Sequence, residues 1–177
     1  YVEFARLING LQPKVFVMEN VTGLAKGKMR GIFIDIMRAL KATGYLVRCK
    51  MLNSANYGVP QKRQRLFFIG TRADLGKAPE FPLPEGKPVT VFEAFSGLPL
   101  QAEDRPMKAW LKLAWKEIKP LCGYDNTAKV FRQYKGSTGG SFNTKKIAPN
   151  RPSPTLTKSE ISVAGLMHYA EPRCLTA

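Results

Sequence analysis

Apolar positions along the chain fall into short blocks separated by polar, glycine-bearing or proline-bearing turns. Residues 2–10 carry an amphipathic helical pattern that Gly10 is expected to close. After Pro13, Lys14-Val15-Phe16-Val17-Met18 is a nearly continuous apolar run, the pattern of a strand buried on both faces. It stops at the polar turn Glu19-Asn20-Val21-Thr22-Gly23. Residues 30–43 place Ile32, Ile36, Met37 and Leu40 at helical spacing ahead of Gly44. Tyr45 to Leu52 is strand-like, Asn53 to Pro60 is turn-rich, and Leu66-Phe67-Phe68-Ile69-Gly70 is a second buried strand. The span from Leu52 to Leu66 leaves no room for a crossover helix, so the last strand is expected to return antiparallel. The fold class is α/β, with a partial doubly wound mixed sheet.

The pattern changes at Lys77. Pro79, Pro82, Pro84, Pro88 and Pro99 predict a linker running over the surface. Residues 106–119 look helical, with Met107, Leu111, Ala114, Trp115 and Ile118 on one side and Lys108, Lys112, Lys116 and Lys119 on the other. Those lysines form either a solvated face or a phosphate-contacting one. Residues 121–150 read as irregular, basic and glycine-rich, and Arg151-Pro152-Ser153-Pro154-Thr155-Leu156-Thr157 is too rich in proline for a helix. The chain thus divides into 1–78, the rear half of an α/β domain; 79–150, a linker and small irregular region; and 151–177, a return segment.

Composition narrows the class. The 177 residues are 44% hydrophobic and 23% charged, ordinary for a folded chain. No apolar run is long enough for a membrane helix, so no membrane role is expected. Cys49, Cys122 and Cys174 lie far apart without a CxxC pair, which supports neither a disulfide scaffold nor a metal site and makes a reduced cytoplasm the default. Charge changes the picture most: 28 Lys and Arg against 13 Asp and Glu give +15. No acid occurs between Asp35 and Asp74, or between Asp125 and Glu160. So one-sided a field calls for a polyanionic partner, nucleic acid first. The chain begins at Tyr1 and is read as a piece of something longer.

Two clusters carry candidate chemistry. Glu19 directly follows a buried strand, at the carboxyl end where open α/β sheets bind ligands. Beside a low-dielectric core it would favour the protonated form and could donate or share a proton; a turn acid or helix cap is the plainer alternative. In Gln61-Lys62-Arg63-Gln64-Arg65, an extended chain turns Gln61, Arg63 and Arg65 to one face. That face suits capture of a carboxylate, a phosphate or a carbonyl oxygen. The alternative is an edge strand guarded by charge.

Three ordered segments, Phe-Val-Met-Glu-Asn-Val-Thr-Gly-Leu at 16–24, the block 52–70 containing Asn-Tyr-Gly-Val-Pro-Gln-Lys-Arg-Gln-Arg, and Arg-Pro-Ser-Pro-Thr-Leu-Thr at 151–157, resemble motifs of the DNA cytosine-5 methyltransferases. They correspond to the ENV motif, the QxRxR motif and the arginine-bearing motif after the target recognition domain. The resemblance implies a sheet of the S-adenosylmethionine-dependent methyltransferase type, with a target recognition domain within 79–150. It also implies methyl transfer from S-adenosylmethionine to carbon 5 of a cytosine flipped out of double-stranded DNA, after a cysteine thiolate attacks carbon 6.

By the same resemblance, Glu19 hydrogen-bonds ring nitrogen 3 and the exocyclic amine, Arg65 holds oxygen 2, and Arg63 positions Glu19. Asn20 and Gln61 support the pocket. Lys129, Arg132, Lys135, Lys145 and Lys146 face the DNA, and Arg151 and Thr155 organise the recognition domain against the catalytic one. The family's Pro-Cys nucleophile motif, its glycine-rich cofactor loop and its closing Gly-Asn motif are not among these residues. The chain is therefore expected to be the base-binding half of an enzyme, inactive alone, in the cytoplasm of a bacterial or phage-infected cell. It resembles either part of one longer chain or a non-catalytic DNA-binding subunit or remnant of a split methyltransferase, with the missing portion as its partner.

Overall fold

A computed structural model describes residues 1–25, 27–98, 107–121, 124–139, 144–156 and 166–175. Cys122 and Thr157 lie outside the described residues, as does Gly140. The chain divides into two units: residues 1–56 with 63–86, and residues 57–62 with 87–177.

In the first unit, helix α1 (Val2–Leu11) leads into strand β1 (Val15–Val21), helix α2 (Arg30–Ala42), strand β2 (Tyr45–Asn53) and strand β4 (Gln64–Arg72). The two-residue strand β3 (Gln61–Lys62) intervenes in sequence and belongs to the second unit. Strand β4 lies between β1 and β2 and runs antiparallel to both, as the short connection requires. β1 and β2 therefore run in the same direction on either side of it, which makes this part of a mixed sheet.

Helix α1 ends one residue beyond Gly10, with Gln12 taking the left-handed conformation at φ 45° and donating its N–H to the Ile8 carbonyl. A non-glycine residue thus does the work expected of Gly10. Thr71 Oγ1 donates to the Lys77 carbonyl, Arg48 Nη1 donates to the Pro79 carbonyl at 3.3 Å, and Glu85 N donates to the Asn56 carbonyl at 2.7 Å. Residues 77–86 are thereby tied along the first unit; Pro88 belongs to the second, and Pro99 lies outside the described residues.

One face of the sheet forms the core. Phe16, Leu66, Phe68 and Val47 pack with Ile8, Ile36 and Leu40 from the two helices, and Phe33 lies against Phe68 at 5.8 Å between ring centres. Strand β1 is not buried on both faces: Val15, Val17 and Val21 are 50%, 56% and 55% exposed. The helices cover only the face carrying Phe16 and Met18, so alternate side chains point away from it. Ile32 likewise faces outward, and Phe33 takes its place against the sheet.

The second unit holds helices α3 (Val91–Phe95), α4 (Ala109–Ala114) and α5 (Tyr124–Lys135), with strands β5 (Lys145–Lys146), β6 (Ser153–Pro154) and β7 (Leu166–Met167). β3 pairs parallel with β6, and β5 parallel with β7. Helix α3 starts with a capping box in which Thr90 and Glu93 satisfy each other's backbone N–H. Helix α4 is shorter than the predicted 106–119, but the apolar side holds: Met107, Leu111, Ala114 and Ile118 are buried.

The irregular reading of 121–150 is corrected by α5. Thr127, Val130 and Phe131 are buried and Tyr134 half-buried, a spacing that puts one helical face on the core beside Trp110. The core packing of Trp110 and Trp115 agrees with their helical spacing in the sequence.

His168 is buried and plays a packing role. Its Nδ1 accepts N–H bonds from Ala170 and Glu171 at 3.2 and 3.1 Å, and its ring stacks with Phe95 and Tyr169.

Candidate active site

The antiparallel register of β1 and β4 assembles the candidate site. Glu19 pairs with Phe67 and Val21 with Arg65, so Glu19 and Arg65 are diagonal neighbours on the sheet face away from the helices. Arg65 Nε lies 3.0 Å from Glu19 Oε1. Arg63 stands just before β4 and places Nη2 3.4 Å from the same oxygen. Two guanidiniums thus converge on one carboxylate oxygen at the mouth of the sheet.

Local structure explains why Arg63 can join them. The run Gln61–Arg65 is not one continuous strand: β3 ends at Lys62 and β4 begins at Gln64. Ser54 clamps the residue between them. Its N–H donates to the Arg63 carbonyl at 3.0 Å, and its hydroxyl accepts the Arg63 N–H at 3.3 Å. Ser54 is a positioning residue that sequence reasoning missed; its signal was a small hydroxyl residue at the end of a strand, a common and weak one.

The surroundings of Glu19 differ from expectation. It is not sunk in a low-dielectric pocket, since its side chain is 44% exposed and shared between two arginines. Ion pairs this open contribute about 0–1 kcal/mol to stability. Stability is a poor reason to gather a glutamate and two arginines at one strand mouth, and ligand capture is a better one. Asn20 lies beside them, its Oδ1 accepting the Val21 N–H at 2.8 Å.

Gln61 belongs to the second unit, where β3 is held by β6. Thr155 Oγ1 donates to the Lys62 carbonyl at 2.9 Å, and Ser153 N to the Pro60 carbonyl at 2.9 Å. The Arg151 carbonyl accepts the Val91 N–H at 2.9 Å at the start of α3, while its side chain is exposed.

The remaining basic residues separate into two groups. Lys129 and Arg132 are exposed on α5. Lys135 is exposed as well, but its Nζ donates to the Gly139 carbonyl at 2.6 Å and lies 5.9 Å from the centre of the Trp110 ring. Lys145 is half-buried. Lys146 departs from the expected DNA-facing role in this structure: it is only 7% exposed, with Nζ 3.4 Å from the Trp115 ring centre and donating to the Trp115 carbonyl at 3.3 Å. A buried ammonium held by an aromatic face and a carbonyl is part of the core.

Cys49 lies in β2, and burial pushes its thiol up to about 11, the opposite of what a nucleophile needs. Cys174 is half-buried. Among the described residues no group of three or more His, Cys, Asp or Glu could hold a metal ion, and no helix is long and apolar enough to cross a membrane.

A family profile described as C-5 cytosine-specific DNA methylase matches residues 1–175. The chain belongs to that family. Among curated relatives of this chain, the type II methyltransferase M.NgoFVII of Neisseria gonorrhoeae is 31% identical over 99% of the chain and 50% of its own length. The type II methyltransferase M.XorII of Xanthomonas oryzae pv. oryzae is 36% identical over 68% of the chain and 29% of its own length. The chain therefore spans half or less of these relatives. A solved prophage-encoded E. coli structure, assigned as a DNA modification methyltransferase, shares the fold with a TM-score of 0.64 and 21% identity, over 99% of the chain and 60% of that protein.

Such methylases imply S-adenosylmethionine, but the described residues do not fit it as a site. The carboxyl end of β1 carries Glu19 and Asn20 and runs into a 3-10 turn at Thr22–Ala25; the glycines that follow, Gly23 and Gly27, have nothing within 4 Å of a Cβ position and so form no close cradle at that strand end.

Proposed function

We propose that the complete protein carrying this chain is a DNA cytosine-5 methyltransferase, and that these residues form its base-binding half. The convergence of Arg63 and Arg65 on Glu19 Oε1 carries this reading. A cytosine presents ring nitrogen 3 and an exocyclic amine beside oxygen 2. Glu19 meets the first two and Arg65 the third, which requires Arg65 to exchange the carboxylate for the base oxygen. Arg63, fixed through Ser54, stays behind to orient Glu19.

A proton shared between Glu19 and nitrogen 3 keeps the ring from carrying a full negative charge as a nucleophile adds at carbon 6. A base inside a duplex cannot reach such a site, so the nucleotide is extruded from the stack. On this reading the attacking thiolate and the methyl donor's pocket come from portions of the protein outside these residues; half-buried Cys49, with its raised pKa, is unsuited to the attack. Double-stranded DNA is the partner, drawn by the +15 charge.

The test is to incubate the complete protein with duplex DNA and S-adenosylmethionine and map 5-methylcytosine by sequencing. Methylation at a recurring short sequence is expected. DNA bound but unmethylated would contradict the enzymatic reading and favour the non-catalytic subunit or remnant.

A further inference from the structure

We propose that Thr155 is a positioning residue for the site around Glu19: its hydroxyl and that of Ser54 hold opposite ends of one peptide group, Lys62–Arg63, and so aim the Arg63 guanidinium at the carboxylate. The inference rests on the proposed role of Glu19 in holding the base, and it gives Thr155 a task at that site.

The need for such a grip follows from how Arg63 is placed. β3 ends at Lys62 and β4 begins at Gln64, so neither strand's ladder includes Arg63. Its side chain is loosely held: Nη2 lies 3.4 Å from Glu19 Oε1, a long contact, and the side chain is 39% exposed. A long, flexible side chain returns to one carboxylate oxygen only if the backbone that carries it starts from a fixed orientation.

Three hydrogen bonds supply that orientation. Thr155 Oγ1 donates to the Lys62 carbonyl at 2.9 Å, and the N–H of the same peptide, that of Arg63, donates to Ser54 Oγ at 3.3 Å. A peptide group is planar and its oxygen and hydrogen point in opposite directions, so holding both fixes the plane. The next plane is held as well, because Ser54 N donates to the Arg63 carbonyl at 3.0 Å. With the planes on either side of its Cα held, φ and ψ of Arg63 are set, and with them the direction in which its side chain leaves.

Lys62 and Thr155 belong to the second unit, Ser54 and Arg63 to the first, and each of these hydrogen bonds stays within its own unit. The covalent step from Lys62 to Arg63 carries the hold of Thr155 to the carboxylate. A tie at the end of a strand would account for Thr155 alone. It does not account for a second hydroxyl on the same peptide: Thr155 stands one residue past β6 and Ser54 one residue past β2, and both meet Lys62–Arg63.

The experiment measures methyl transfer to duplex DNA by the complete protein carrying Thr155→Val, Thr155→Ser, Ser54→Ala or the Ser54→Ala/Thr155→Val pair, and follows exchange of the Arg63 amide proton by NMR in each. Thr155→Val is expected to lower kcat about tenfold with KM for DNA unchanged, within the range that a small misplacement costs. It should also speed exchange at Arg63, and Thr155→Ser should restore both. The double variant should lose scarcely more than the worse single one, because both hydroxyls act through one peptide. Thr155→Ala serves in place of valine if the valine variant melts early.

Losses that multiply in the double variant would overturn the proposal, as would a Thr155→Val protein with unchanged kcat and unchanged exchange at Arg63. A rise in KM alone would also overturn it and make the hydroxyl a contact to the duplex. A wild type that methylates nothing would refute the methyltransferase reading alone, because the exchange rates still decide whether Thr155 holds the peptide.

Discussion

Gly70 shows how closely single residues are constrained in the sheet that carries the site. It pairs across the ladder with Phe16, whose ring lies over it; a Cβ added there would fall 2.1 Å from Phe16 Cε1. The ring fills the space a side chain would take and completes the core between β1 and β4. Gly70→Ala must push that ring aside, and a loss of about 1–3 kcal/mol is expected in urea unfolding, the usual cost of overpacking. Stability equal to the wild type would show that Phe16 moves freely.

At this scale the sequence was informative where chemistry follows from periodicity. Glu19, Arg63 and Arg65 can be picked out because a carboxylate closing one apolar run and alternating cations before another are rare in a core, although β1 continues through Glu19 to Val21 where a polar turn was expected. Ser54 was not legible. Its value lies in two hydrogen bonds to Arg63, and they depend on the turn geometry of the intervening residues, which no local pattern encodes.

Among elements, strands and helices with strong periodicity appear close to where the pattern puts them: β1, α2, β2 and β4 all do. What the pattern could not supply was the number of covered faces. The apolar run in β1 predicts burial on both sides, yet covering is a property of neighbours, and the described helices lie against one side only. The miss at α5 has a different cause. The spacing of Thr127, Val130, Phe131 and Tyr134 is helical, but glycines just beyond Lys135 draw the whole span toward an irregular reading.

The return at β7 illustrates an element whose stability depends on one protonation state. His168 Nδ1 is an acceptor for two backbone N–H groups, so its proton sits on the other ring nitrogen. Burial lowers its pKa, nearby Arg173 adds to the lowering, and Glu171 opposes it. The unfolded chain then takes up a proton at a pH where the folded one does not. The stability His168 contributes is present above the ordinary histidine value of about 6.5 and is lost as pH falls through the lowered folded value. Thermal unfolding of the complete protein should show this acid-side decline, and His168→Gln should flatten it. An identical decline in the variant would place the titrating group elsewhere.

Over the whole molecule, charge and family membership point the same way. A net charge of +15 is costly to gather unless a polyanion compensates it, and the family whose profile matches is that of C-5 cytosine-specific DNA methylases. The division of labour within the chain follows from the two units. On the proposed reading, the first unit's Glu19, Arg63 and Arg65 would hold the base, and the second unit's exposed Lys129 and Arg132 would contact the duplex. Catalysis and affinity should therefore be separable by mutation. The most direct test measures both in the complete protein carrying Glu19→Gln. Methyl transfer is expected to fall on the order of 10²-fold or more, the scale of a lost general acid, with DNA affinity retained. Unchanged turnover in that variant would remove Glu19 from the mechanism and contradict the base-binding site.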